Sequence, residues 1–206
     1  MTADWAMRWT RTALALGIDA DVTERDAVLA RYAEPHRKYH TLRHLDECFE
    51  RMGPVRTKAE RPGELDLALW YHDAVYDPRA SDNEARSADL AASAMERAGL
   101  PDVARDRVRA LIMATRHDAL PPLGDAALLV DVDLGVLAAA SARFDEYETE
   151  IRAEYAWVPE STFSSKRREV LRGFTERGRI YSSGVFDDDE PRARENLARS
   201  IARLGQ

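Results

Sequence analysis

Residues able to bind a divalent cation recur in four short stretches of this chain: His40 with His44, His72-Asp73, His117-Asp118, and Asp131 with Asp133. Imidazole and carboxylate are both metal ligands, and a cation held by such a set can acidify water and offset negative charge on a reacting group. The adjacent pair His72-Asp73 stands out because it lies inside Leu-Ala-Leu-Trp-Tyr-His-Asp-Ala-Val-Tyr-Asp, residues 67–77, which is otherwise largely apolar. Polar groups in a buried run cost free energy unless something satisfies them. If residues 65–76 form one helix, then Leu65, Leu69, His72, Asp73 and Tyr76 share a face and the pair points inward.

Each residue taken singly also has a plainer reading. His44, beside Leu45, reads as a core or surface histidine, and His40 as part of a cap or loop. His117 suits a cation at a helix C-terminus. Asp131 or Asp133 could be a helix N-cap. On a helix, Asp133 would have Leu129, Val130, Val136 and Leu137 as its neighbours one turn away. A carboxylate so surrounded needs a partner, and a metal is an economical one. Asp131 and Asp133 would diverge by about 200° around a helix, so one ligand position cannot take both.

The elements that must position these residues are helical. Apolar spacing of about 3.6 predicts helices over 4–16, ended by Gly17, over 24–33, and from Leu42 to Met52 with Thr41 as N-cap. Residues 53–63 read as a loop. The central helix over 65–76 is broken by Asp77-Pro78. Ser81 and Glu84 form a capping box for a helix stopping at Gly99, and another begins at Pro101. Residues 125–139, after Asp125 itself, are strongly apolar but interrupted by Asp131 and Asp133. Further helices are predicted over 141–156, from a Ser161 cap, and from about Pro191. No alternating strand or internal repeat is evident, so the expected fold class is all-α, with residues 1–206 as a single domain.

Composition narrows the function classes. Thirty basic against 37 acidic residues give a net charge of −7, which argues against a nucleic-acid-binding surface. The single cysteine, Cys48, excludes an intramolecular disulfide and a cysteine-based zinc cluster. No signal peptide or membrane-length apolar run is read, so the expectation is a cytoplasmic protein without a membrane partner.

The ordered set His, His-Asp, Asp on helices resembles the HD-domain metal-dependent phosphohydrolases. It is most similar to a subgroup of little-characterised predicted members. The resemblance lies in Tyr39-His40-Thr41-Leu42-Arg43-His44, Trp70-Tyr71-His72-Asp73-Ala74-Val75-Tyr76-Asp77, and Asn83-Glu84 with Ser87-Ala88. It continues in Ala114-Thr115-Arg116-His117, Asp131-Val132-Asp133-Leu134 and Arg194-Glu195-Asn196-Leu197, so it spans about residues 30–200. It implies a single HD-type helical bundle with His44, His72, Asp73 and Asp133 as ligands of one divalent cation. Manganese, magnesium, cobalt, iron, nickel and zinc are not distinguished.

The extra histidine pair of the cyclic-dinucleotide phosphodiesterase branch is missing, which counts against a binuclear site. His40 and His117 match positions that contact phosphate or a second metal in such proteins. Asp73 is expected to orient or deprotonate water, with Asp131 as a base behind the ligands. The nearby Arg37, Lys38, Arg43 and Arg116 are candidates to receive phosphate oxygens or are solvated charges. The implied activity is hydrolysis of a phosphate ester or anhydride in a small, nucleotide-like metabolite. The alternative is a non-catalytic HD-like domain that senses a metal or nucleotide.

Overall fold

Side-chain oxygens start the first three helices. In the computed structural model, which describes residues 4–205, Asp4 accepts from the Met7 amide at the head of α1 (Trp5–Leu16). Asp21 accepts from Thr23 at the head of α2 (Val22–Tyr32), and Thr41 from Arg43 at the head of α3 (Leu42–Met52). Each bond satisfies one of the amide donors that a helix start leaves open. Then come α4 (Pro62–Tyr71), α5 (Asn83–Arg97), α6 (Asp102–Ala114) and α7 (Asp125–Asp133). The chain closes with α8 (Ser141–Glu154), α9 (Glu160–Thr175) and α10 (Glu190–Arg203). Short 3-10 turns occupy residues 53–58, 134–138 and 187–189. The described residues contain no strand, and the protein is all-α.

Two apolar cores lie side by side. One gathers Trp9, Val28, Tyr32, Phe49, Leu69, Trp70, Val108 and Ile112 from α1 to α6. The other gathers Phe144, Ile151, Leu171, Phe174, Tyr181 and Leu197 from α8 to α10 and the loop before α10. Helix α7 belongs to both, with Leu128, Leu129 and Val132 in the first and Val130 in the second. A helix apolar all round is one buried all round, and residues 127–132 are indeed buried. Its last residue, Asp133, therefore emerges at the seam between the cores.

Helix α4 is the second buried rod, with every residue from Gly63 to Tyr71 buried. Its close approach to α1 requires a glycine. A Cβ at Gly63 would lie 2.9 Å from the Ala15 carbonyl carbon. That approach lets Trp9 meet Trp70 edge-on at 5.1 Å, while the Trp70 indole donates to Thr12 Oγ1 at 3.1 Å.

Several boundaries differ from the sequence expectation. Helix α4 ends at Tyr71 instead of continuing to residue 76, so His72 and Asp73 stand on the turn that follows it. The Ser81–Glu84 capping box does not form. Helix α5 starts at Asn83 without a side-chain cap, and the Asn83 amide instead bonds the Asp77 backbone in both directions at 3.0 and 2.9 Å. Helix α9 starts after Pro159 and not from a Ser161 cap. No described helix is long and apolar enough to cross a membrane.

Candidate metal centre and its cleft

Helix α3 turns His44 inward on the same stripe as Leu45, Cys48, Phe49 and Met52. The turn after α4 brings His72 against it, and the two Nε2 atoms lie 3.1 Å apart. The Nδ1 of His72 sits 2.8 Å from the Leu69 carbonyl. A carbonyl only accepts, so the ring proton belongs on Nδ1 and the Nε2 lone pair faces His44. Asp73 Oδ2 lies 3.4 Å from His44 Nε2 and 3.1 Å from His72 Nε2. Asp133 Oδ1 lies 3.2 and 3.5 Å from the same two atoms. Donors sharing one tetrahedral cation at 2.0–2.2 Å stand about 3.3–3.6 Å from one another. These side chains fit that spacing and could hold a metal ion.

Charge points the same way. Burial works to raise the carboxyls of Asp73 and Asp133, but the facing histidines outweigh it and hold both well below the usual range. Burial likewise works to lower the imidazoles. For His44, Cys48, Tyr39 and the two carboxylates outweigh it; for His72, Asp73, Tyr32 and Asp133 do. Both imidazoles are drawn well above their ordinary value. Two ionised carboxylates in so enclosed a cluster need positive charge, which either protons on the imidazoles or a divalent cation can supply. The donor atoms of His44, Cys48, His72 and Asp133 also form a group within 4.8 Å of one another. Sequence reading gave Cys48 no place among the candidate ligands.

Asp73 and Asp133 line a cleft of about 670 Å³, with His40 and His117 also on its walls. Tyr76, Tyr155, Trp157 and Phe163 supply aromatic surface, and Arg79, Arg116 and Lys166 supply positive charge. A larger, more open groove of about 950 Å³ runs between residues 116–120 and α9. It reaches His117 but none of the four proposed ligands, so the smaller cleft is the space that serves the cluster.

His117 lies beyond the end of α6 and adopts a left-handed backbone (φ 59°), not a helix-terminal one. Its Nε2 is 2.9 Å from Asp133 Oδ2, and Arg177 donates to its carbonyl at 2.7 Å. A non-glycine residue in that region is uncommon and persists only where its surroundings hold it. Here the two contacts brace the ring beside the cluster.

His40 is braced differently. Its Nδ1 lies 2.8 Å from Glu154 Oε2, and its ring stacks on Tyr76 at 4.1 Å. The same oxygen of Glu154 accepts from the Tyr76 hydroxyl at 2.7 Å, while Oε1 accepts from the amides of Lys38, Tyr39 and His40. Burial works to raise the Glu154 carboxyl, yet His40 and the other donors bring it down to about 2. Glu154 went unnoticed in the sequence, although it continues the buried face of Phe144, Tyr147 and Ile151 at helical spacing. An acid on an apolar stripe was the available signal.

Asp131 is not brought to the cluster. It is fully buried on the other side of α7, accepting from the Ser182 and Ser183 amides at 2.9 and 2.8 Å. Its carboxylate holds that loop and cannot act as a base behind the ligands. Arg37 is also structural. Its buried guanidinium donates to the carbonyls of His40, Asp73 and Ala74 at 3.1, 2.7 and 3.1 Å. Lys38 bonds the Pro35 carbonyl, and Arg43 pairs with Glu47 and Glu146. Of the four basic candidates, only Arg116 lines the cleft. Glu84, free of its expected capping role, lines it as well. Comparisons of this chain with known protein families, characterised proteins and solved structures found no match.

Proposed function

We propose that the protein is a divalent-metal-dependent phosphohydrolase acting on a phosphate ester or anhydride of a small, nucleotide-like metabolite. One observation carries this reading: two imidazoles and two carboxylates converge beside a cleft whose walls hold separate cations. The resemblance to HD-domain phosphohydrolases supports it. His44, His72, Asp73 and Asp133 would hold the cation. When bound, the cation supplies Lewis-acid stabilisation of phosphoryl charge and a more acidic water.

The protein's own residues account for the remaining work. Arg116 and Lys166 face the same space and suit phosphoryl oxygens, Arg116 through a planar guanidinium that can bond two oxygens at once. Asp73, a carboxylate on the cleft wall, orients the attacking water. His40, clamped by Glu154, is placed to protonate the leaving oxygen. His117, with its Nε2 on Asp133 and its Nδ1 buried, is a positioning residue that orients the Asp133 carboxylate. Trp157 is half-exposed, and the Arg79 guanidinium lies 4.9 Å from its ring centre. Together with Tyr155 it offers a face on which a heterocyclic base can stack.

The test is a panel of nucleoside phosphates, cyclic nucleotides and phosphomonoesters offered to protein loaded with manganese, cobalt or magnesium. Phosphate or nucleotide release should require the cation, stop with chelator, and vanish in His72→Ala and Asp73→Ala. Tight binding of a nucleotide by metal-loaded protein without turnover would replace the hydrolase with a sensor.

A further inference from the structure

The open groove between residues 116–120 and α9 holds none of the proposed metal ligands, yet it carries positive charge that the protein leaves uncompensated. Five cationic side chains line it against three carboxylates, in a chain of net charge −7. Two of those acids are already taken, Asp118 by Arg116 at 3.3 Å and Glu169 by Lys166 at 2.8 Å. That leaves Arg168, Arg172 and Arg177 with Glu176 alone. None of these three arginines has an ion-pair partner among the described residues, whereas the neighbouring Arg167 and Arg179 pair with Glu148 and Asp187.

Arg168 and Arg172 stand one turn apart on α9, a spacing at which like charges oppose helix stability. Arg177 follows the end of that helix. Its guanidinium lies 4.7 Å from the Phe174 ring centre and donates to the His117 carbonyl, while Nη1 has no acceptor. Burial pulls this arginine below its ordinary value, and no carboxylate opposes the shift. The plainer roles are local: Arg172, in the last turn of α9, suits the helix dipole, and Arg177 braces the His117 backbone. Neither role accounts for three arginines without counter-charge on one concave surface.

The groove also continues the cleft beside the metal cluster. Arg116, His117, Asp118, Lys166, Val170 and Phe174 line both. Val170 is half-exposed on this shared wall, so an apolar carbon skeleton can cross there with charged groups on either side.

We propose that the groove binds a phosphate group other than the one hydrolysed, held by Arg168, Arg172 and Arg177. Guanidinium groups suit this ligand because each offers paired donors in a rigid plane to phosphate oxygens. The source of the group is a second phosphate on the substrate, reached across the shared wall; this part rests on the hydrolase reading of the preceding section.

Calorimetric titration of metal-free protein with pyrophosphate, at low ionic strength, tests the groove apart from the metal centre. Wild-type protein should bind saturably. Arg172→Ala should weaken binding about tenfold, and Arg168→Ala with Arg172→Ala should weaken it further, with far-ultraviolet circular dichroism unchanged. Arg179→Ala, which removes an arginine outside the groove, should have no effect. Absence of binding, or equal binding by all these proteins, would overturn the groove site and leave the metal centre standing. The second arm compares nucleoside monophosphates with nucleoside bisphosphates as substrates of the metal-loaded enzyme. Arg172→Ala should raise KM about tenfold for the bisphosphate alone. Pyrophosphate binding through Arg172 with both KM values unchanged would overturn the substrate as the source and assign the groove to free phosphate. Such binding without turnover of any phosphate compound would overturn the hydrolase reading and leave the groove site standing.

Discussion

Replacing Glu154 with Gln separates the charge of this buried carboxylate from its shape. Five donors converge on it: three consecutive amides on one oxygen, and the His40 ring with the Tyr76 hydroxyl on the other. A glutamine can keep its carbonyl toward the amides. Its NH2 group then meets Nδ1 of His40, which can accept if its proton moves to Nε2. The fold should survive, while the stabilisation specific to the negative charge is lost. The carboxyl lies at about 2 in the folded protein against an ordinary 4.5, a separation worth roughly 3 kcal/mol. Because the folded value is depressed, this stability is fully present above about pH 4.5 and fades as pH falls towards 2. Urea unfolding of both proteins, followed by circular dichroism from about pH 7 down to about pH 3, reads it directly. Glu154→Gln should be less stable by roughly 3 kcal/mol at neutral pH, and the gap should narrow steadily below about pH 4.5. A gap that stays constant with pH, or no gap, would refute the assignment of charge-dependent stability to this residue. If His40 is the proton donor, kcat should also fall by about 100-fold with little change in KM.

Asp133→Asn should weaken metal binding by about tenfold or more, since it removes a charged ligand oxygen; calorimetric titration with manganese measures this. Asp131→Asn should leave that titration unchanged. It should cost about 1 kcal/mol in urea unfolding, because one carboxamide oxygen cannot serve both the Ser182 and Ser183 amides and relief of the buried charge offsets only part of that loss. Gly63→Ala should lower stability by about 1–3 kcal/mol, as its methyl group presses on the Ala15 backbone where α1 crosses α4. Thermal unfolding that is unaffected by this substitution would show that the two helices separate without cost.

The helical class was open to sequence reading because its causes are local. Apolar residues recur at helical spacing, Thr41 caps α3, and Gly17 closes α1 in the left-handed region. Burial of His72 was legible from the apolar run around it, and candidate ligands were legible from residue type. The end of α4 was not, because Ala74, Val75 and Tyr76 continue an apolar pattern beyond Tyr71. There Arg37, from a distant loop, takes the carbonyls of Asp73 and Ala74 and holds the chain in a turn. The partition of Asp131 from Asp133 was equally non-local. Amides about fifty residues downstream claim the first, while histidines from three other segments surround the second. Glu154 left a local trace, an acid on a buried stripe, but four of its five donors lie more than a hundred residues upstream and the fifth is on Tyr76. Local spacing by itself determined the helices and the residue types available for chemistry. Only the tertiary structure decided which carboxylates meet which histidines, since that choice depends on hydrogen bonds between segments far apart in the chain.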